Sequence, residues 1–354
     1  AQPDWSGKAV VLHYLAINDA QPAYLNNMLL DETVDPLLQG MFTAGRWLRD
    51  APEKMGWISL VMRHLAGILQ KENFPMGLKA RALSALVQSG NPGVLVLLRQ
   101  MLLSPRQDLR QMAALGMGYL REGKAVEELA KLLEEKEPGT LQAAALALVA
   151  IGDKTSLEVI ADALLHGDED VRRAAAEALS NHVEEGHPTL EEAATIEDPL
   201  VRRAAVFGLA RIKQPWSNSI IEKLRDEDKQ WVVQDVATQV IGAMERPSLR
   251  VPERLPELTM TPWLIQFAGE KGMGVAPGKP AYELLYQALR EGKEGQRLAA
   301  IHYLTVKVNE DALLPLYQSY FTTKGELKEA ALNALWHTAA AGVYLPPPIQ
   351  YGLK

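Results

Sequence analysis

The sequence predicts an all-α solenoid, chiefly because one nine-residue signature recurs along it at nearly constant spacing. The signature is apolar-x-x-x-Ala-x-x-x-apolar. It reads Leu78-Ala82-Leu86, Leu109-Ala113-Met117, Leu141-Ala145-Val149, Val171-Ala175-Leu179 and Val201-Ala205-Leu209. Val232-Val236-Val240, Leu264-Ala268-Gly272, Gln296-Ala300-Leu304 and Leu327-Ala331-Leu335 continue it with substitutions. Successive first positions differ by 31, 32, 30, 30, 31, 32, 32 and 31 residues. A fixed period of that size marks stacked units, each too small to close a core alone. The second observation is composition, since the strong helix formers Ala, Leu, Glu, Lys and Arg dominate. The third is the local pattern: Val171, Ala174, Ala175, Ala178 and Leu179 make one continuous helical stripe.

Residues 1–77 do not keep the rhythm and read as an atypical N-terminal helical cap. A solenoid end must hide an apolar face from water. Leu37, Met41 and Gly45 loosely echo the anchors, Trp57 to Leu69 reads as their partner helix, and a further helix is expected around Ala9–Asn18. Residues 78–245 read as regular repeats. In each, a first helix (A) carries the signature and a short turn leads to a second (B). Gly90-Asn91-Pro92, Gly123, Gly152-Asp153 and Pro215 mark the turns. The B helices are expected at Val94–Leu103, Val126–Leu133, Leu157–Leu165 and Ile220–Leu224, lining the concave side. Either Asp168 or Asp170 can cap its A helix. Alanine at the signature centre lets neighbouring helices cross closely without loss of helix propensity.

Residues 246–262 form a Pro-rich interruption. Pro247, Pro252, Pro256 and Pro262 cannot continue a helix, yet the anchor interval across them stays at 32. Extended chain therefore replaces a B helix. Residues 263–342 are diverged repeats, and 343–354 are a tail lying along the last helices or loose.

The segments DVRRAAAEAL, LVRRAAVFGL and TLQAAALALVAIGDKTSLEVIADALL resemble HEAT-like repeats of the type named after phycobilisome lyases. The resemblance runs from Leu78 to Gly342 and implies an α-solenoid superhelix of about nine HEAT-like helix pairs. VRRAAVFGLARI, DKQWVVQDVA and TPWLIQFAGEKGMGVAPGKPA further resemble a helical module of large bacterial, Chloroflexi-type proteins. Such modules often accompany a NACHT-like (STAND-class) signalling ATPase, and the Ala44–Leu48 segment looks like the joint following one. That likeness implies a sensor or scaffold arm, with any ATPase outside this chain. The lyase-type likeness allows an alternative, an accessory protein holding a chromophore or small cofactor in its groove.

Chemistry is sparse by comparison. The absence of cysteine excludes disulfides and thiolate sites, and a formal charge of −7 implies no general polyanion affinity. A nucleic-acid partner is therefore not expected, and the longest apolar stretch is too short for membrane insertion. No signal peptide is visible and the chain opens at Ala1, so we expect a cytoplasmic segment of something longer. Gly269–Lys279 imitates a phosphate loop, but three residues rather than four separate Gly274 from Gly278, and Pro280 follows the lysine. We read it as a long turn. His182, Glu184, Glu185 and His187 cluster without the i, i+4 spacing of a metal-binding helix face. HEAT-like di-iron hydroxylases carry His-Glu dipeptides, and this chain has none. No cofactor, metal or catalytic residue is assigned, and an enzyme is not expected.

Arg110, Arg172 and Arg202 follow their anchors, with Asp108, Asp170 and Asp198 just before them. Neighbouring carboxylates would cancel a phosphate-binding field, so the pattern reads as an ion-pair ladder setting the repeat stagger. What remains is surface. Trp263, Tyr282, Tyr286, Tyr317, Tyr320 and Phe321 are the candidate contacts with a protein partner. The alternative is that several replace core leucines in diverged repeats.

Overall fold

The computed structural model describes Leu25, Leu29 and residues 34–72, 74–135, 137–245 and 255–353. The expected helix at Ala9–Asn18 lies outside them. Among the described residues there are 18 α-helices, a few 3-10 turns and no strand, and the fold is an α-solenoid. Helices α1 (Gln39–Trp47) and α2 (Ile58–Gln70) come first. A and B helices then alternate as α3 (Met76–Gln88), α4 (Gly93–Leu102), α5 (Gln107–Leu120), α6 (Val126–Leu132), α7 (Pro138–Ile151) and α8 (Lys154–His166). They continue as α9 (Glu169–Leu179), α10 (Gly186–Ala193), α11 (Pro199–Ile212), α12 (Pro215–Glu227) and α13 (Trp231–Glu245). The last five are α14 (Pro262–Glu270), α15 (Lys279–Glu291), α16 (Glu294–Val306), α17 (Leu313–Thr322) and α18 (Glu326–Ala340). Of the Pro-rich interruption, residues 255–261 are described. They hold one 3-10 turn, Leu258–Met260, whose buried Leu258 sits where a B-helix residue would otherwise pack.

The chain divides into two compact units. One is the continuous stretch Gly90–Arg250; the other combines Ala1–Ser89 with Val251–Lys354. The boundary at Ser89 falls inside what the sequence predicts as a repeat, between α3 and α4. The reason is local: α3 packs on α1 and α2, so the supposed cap claims the first A helix.

In the central unit, successive A helices α5, α7, α9, α11 and α13 pack directly on one another. Ala113, Ala145, Ala175 and Ala205 are wholly buried at these crossings. Two glycines bring the backbones closer still. A Cβ on Gly118 would fall 2.7 Å from Ala147 Cα, and one on Gly208 would fall 2.4 Å from the Ala176 carbonyl oxygen. The B helices pack mainly on A helices rather than on each other.

Helix starts follow capping chemistry. Asp168, not Asp170, caps α9, accepting from Val171 N at 3.0 Å. Asp153 accepts from Ser156 N at 2.7 Å and Glu137 from Thr140 N at 2.6 Å.

In the second unit the two ends of the chain share one core. The Trp336 indole of α18 covers Gly77 of α3, where an added Cβ would come within 2.4 Å of the ring. Arg81 lies over Phe42 at 4.5 Å and Trp336 at 5.9 Å. Burial there, with Arg46 nearby, lowers the guanidinium pKa from its usual value. The tail is fixed: Leu345 and Pro348 are buried, and the Tyr317 hydroxyl donates to the Pro346 carbonyl at 3.0 Å.

Gly208→Ala should cost about 1–3 kcal/mol from overpacking at the helix crossing. Gly295→Ala, in open space at the start of α16, should cost nothing. Urea unfolding followed by circular dichroism reads both. Trp336→Ala, at a half-buried side chain, should cost about 1–3 kcal/mol in the same unfolding experiment.

Candidate partner-binding surface

The arginine ladder exists, but its partners are not the neighbouring aspartates. Arg110 pairs with Glu135 at 2.7 Å, Arg172 with Asp198 at 2.7 Å and Arg202 with Asp228 at 2.6 Å. Each carboxylate sits before the A helix of the next repeat. The same guanidinium also donates backwards: Arg110 to the Ser104 and Pro105 carbonyls, Arg172 to Gly167, Arg202 to Ile196 and Glu197. Every such arginine thus ties the loop before its own helix to the loop before the following one. Arg297 in α16 makes the backward bond to the Leu289 carbonyl at 2.9 Å, a member that the sequence reading passed over. Asp108 instead pairs with Arg106, and Asp170 is exposed.

These groups are committed to structure. The side chains of Arg202 and Asp228 are only 12% and 4% exposed. The hydrogen bond from Arg202 holds the Asp228 carboxyl below the usual carboxylate range, and Arg172 does the same for Asp198. Glu135, just before α7, is one of the rungs.

The histidine cluster is likewise occupied by backbone. His182 Nδ1 accepts from Glu185 N at 3.2 Å, and His187 Nε2 lies 3.0 Å from the Ser180 carbonyl. The His187 ring also contacts Trp216. No group of three or more potential metal ligands converges among the described residues. Gly269–Lys279 spans the end of α14, an irregular turn and the start of α15, with Gly272 and Gly278 at positive φ. Among the described residues no helix is long and apolar enough to cross a membrane.

The six candidate aromatics divide. Tyr317 and Tyr320 are only 2% and 1% exposed, so they are core and cannot serve as a recognition patch. Burial pushes the Tyr317 phenol well above its ordinary pKa. Their rings replace aliphatic side chains in α17 because the tail and α18 pack over them: Tyr317 meets Tyr351, and Lys328 lies 4.8 Å from the Tyr320 ring. Trp263, Tyr282, Tyr286 and Phe321 are half-buried. Tyr286 is tied to Asn309, whose Nδ2 donates to its hydroxyl at 3.1 Å, and burial raises its pKa to about 12. Tyr282 lies beside it, ring centroids 6.3 Å apart.

A different surface stands out on the A-helix side of the central unit. Leu115, Tyr119 and Leu146 are 41%, 60% and 41% exposed. They border a recess of about 580 Å³ over the C-terminal ends of α5 and α7, where Arg121, Asn181, His182 and Glu184 supply polar groups. One repeat on, the same face turns ionic. Glu177 is held by Arg173 at 3.0 Å and Arg211 at 2.5 Å, and Arg173 lies 4.3 Å from the Phe207 ring. The sequence did carry a signal for the apolar part. Leu115, Tyr119 and Leu146 stand six, ten and five residues after their anchors, off the core stripe, where a purely structural repeat needs only solvated residues.

Comparison with known proteins agrees with the repeat architecture. Residues 96–180 match the family described as HEAT repeats. No curated protein matches the chain. Among solved structures, human deoxyhypusine hydroxylase in complex with glycerol is similar at 20% identity. That likeness covers 67% of this chain and 88% of that one, with a TM-score of 0.26. One engineered protein aligns at 21% identity over 63% of this chain and 97% of its own, TM-score 0.27. A second aligns at 18% identity over 95% and 97%, TM-score 0.29.

Arg202→Ala should cost roughly 1.5–3 kcal/mol, since it strands a buried carboxylate. Because the folded pKa of Asp228 is depressed, its contribution is complete above the unfolded carboxylate pKa. It is lost as pH falls through the folded value. Thermal melts should therefore show the wild type losing stability below about pH 4, with a shallower loss in Asp228→Asn.

Proposed function

We propose that this chain is a non-catalytic scaffold or sensor arm that takes a protein partner on its concave surface, within a larger bacterial protein. The observation carrying this reading is the exposed Leu115, Tyr119 and Leu146 cluster on the A-helix row, next to the ionic Arg173–Glu177–Arg211 patch. Apolar side chains with a polar rim are what a protein interface requires, and a tyrosine adds area at low rotamer cost. Tyr282, half-buried on α15, is a secondary contact on the other unit. The arginines and histidines that might have suggested chemistry are bound to loops and backbone, which supports a binding rather than a catalytic role.

The test is affinity isolation from the native source with wild type and a Leu115→Glu/Leu146→Glu variant. Wild type should retain a specific polypeptide that the variant loses, while both keep the same melting temperature, because exposed substitutions are nearly neutral. Retention of that polypeptide by the variant would remove this surface from consideration.

A further inference from the structure

In the unit built from the two chain ends, residues 34–39 face α17 and the tail across a cleft of about 600 Å³. That volume suits one small molecule. Its wall is almost wholly apolar: Val34, Pro346–Pro348, Ile349 and the rings of Tyr317 and Tyr344. Among the described residues one ionisable carboxyl lines it, Asp35, whose Oδ2 accepts from Gly40 N at 3.1 Å at the start of α1. Among the described residues no lysine, arginine or histidine forms an ion pair with Asp35. The Arg81 guanidinium feels the Asp35 charge, but it is held over Phe42 and Trp336 and makes no ion pair with that carboxylate. Burial raises the Asp35 carboxyl above its usual range even though backbone N–H groups of Gly40, Gln39, Leu37 and Leu38 pull it down.

A carboxylate that no cation pairs directly, set in an apolar cleft, favours an incoming cation over an anion. The exposed Tyr344 ring works in the same direction, since an aromatic face attracts positive charge. The Tyr317 hydroxyl is committed to Pro346 and its ring is buried against Tyr351, so Tyr344 is the aromatic face open to a ligand. A carboxylate ligand would meet Asp35 with like charge, and a neutral one would gain no charge pairing from it.

We propose that this cleft binds a small apolar molecule bearing a single ammonium group, with Asp35 pairing the cation and the Pro–Tyr wall taking the apolar body. The site is separate from the partner surface on the other unit and stands independently of it.

The experiment compares 4-phenylbutylamine with its isostere 4-phenylbutyrate by equilibrium titration on the full chain. The amine should bind once per chain, about tenfold or more tighter than the carboxylate. Asp35→Asn, which keeps a capping carbonyl, should erase that preference. Tyr344 is exposed at 66%, so Tyr344→Ala should leave folding intact yet weaken the amine about threefold. Circular dichroism checks folding of each variant. Binding of neither probe, equal binding of both, or amine binding indifferent to Tyr344→Ala would overturn the proposal.

Discussion

Successive A helices in this solenoid approach so closely that alanine or glycine must occupy the crossing, and most of the architecture depends on that contact. Ala113, Ala145, Ala175 and Ala205 are wholly buried where neighbouring A helices meet, while the B helices pack mainly on A helices rather than on each other. The same constraint decides which A-helix side chains stay exposed, because only residues off the buried stripe escape the crossing. Leu115, Tyr119 and Leu146 occupy those positions, so packing and candidate recognition are set by one geometry.

Close packing of smooth, alanine-rich faces leaves the stagger between repeats weakly specified, since alanine has little shape to interlock. The arginine clamps supply what the alanines lack. Each is directional, reaching back to carbonyls of its own loop and forward to a carboxylate of the next, over 25 or 26 residues. Half-buried pairs of this kind contribute modest net stability, yet removing one partner is costly because the other is left desolvated. Such an arrangement fixes register more than it adds stability. It also accounts for basic residues recurring along a chain whose net charge is negative.

The ends of a repeat array ordinarily need polar caps. Here Trp336 of α18 lies over Gly77 of α3, with Arg81 within reach of two aromatic rings. Tyr317 and Tyr320 are buried, and the proline-rich tail meets Tyr317 through Pro346 and Tyr351. A by-product of that meeting is the Asp35 cleft, whose walls come from sequence-distant segments.

The sequence alone determined the helix pairs, their period, the alanine crossings and the role of arginine as a structural ladder. All of these follow from local periodicity, which survives in one dimension. It could not name the partners of Arg110, Arg172 and Arg202, because a salt bridge one repeat away competes in the text with an aspartate two residues away. Burial of Tyr317 and Tyr320, and the meeting of residue 35 with residue 346, were decided by tertiary structure. Only folding brings segments some three hundred residues apart to one surface.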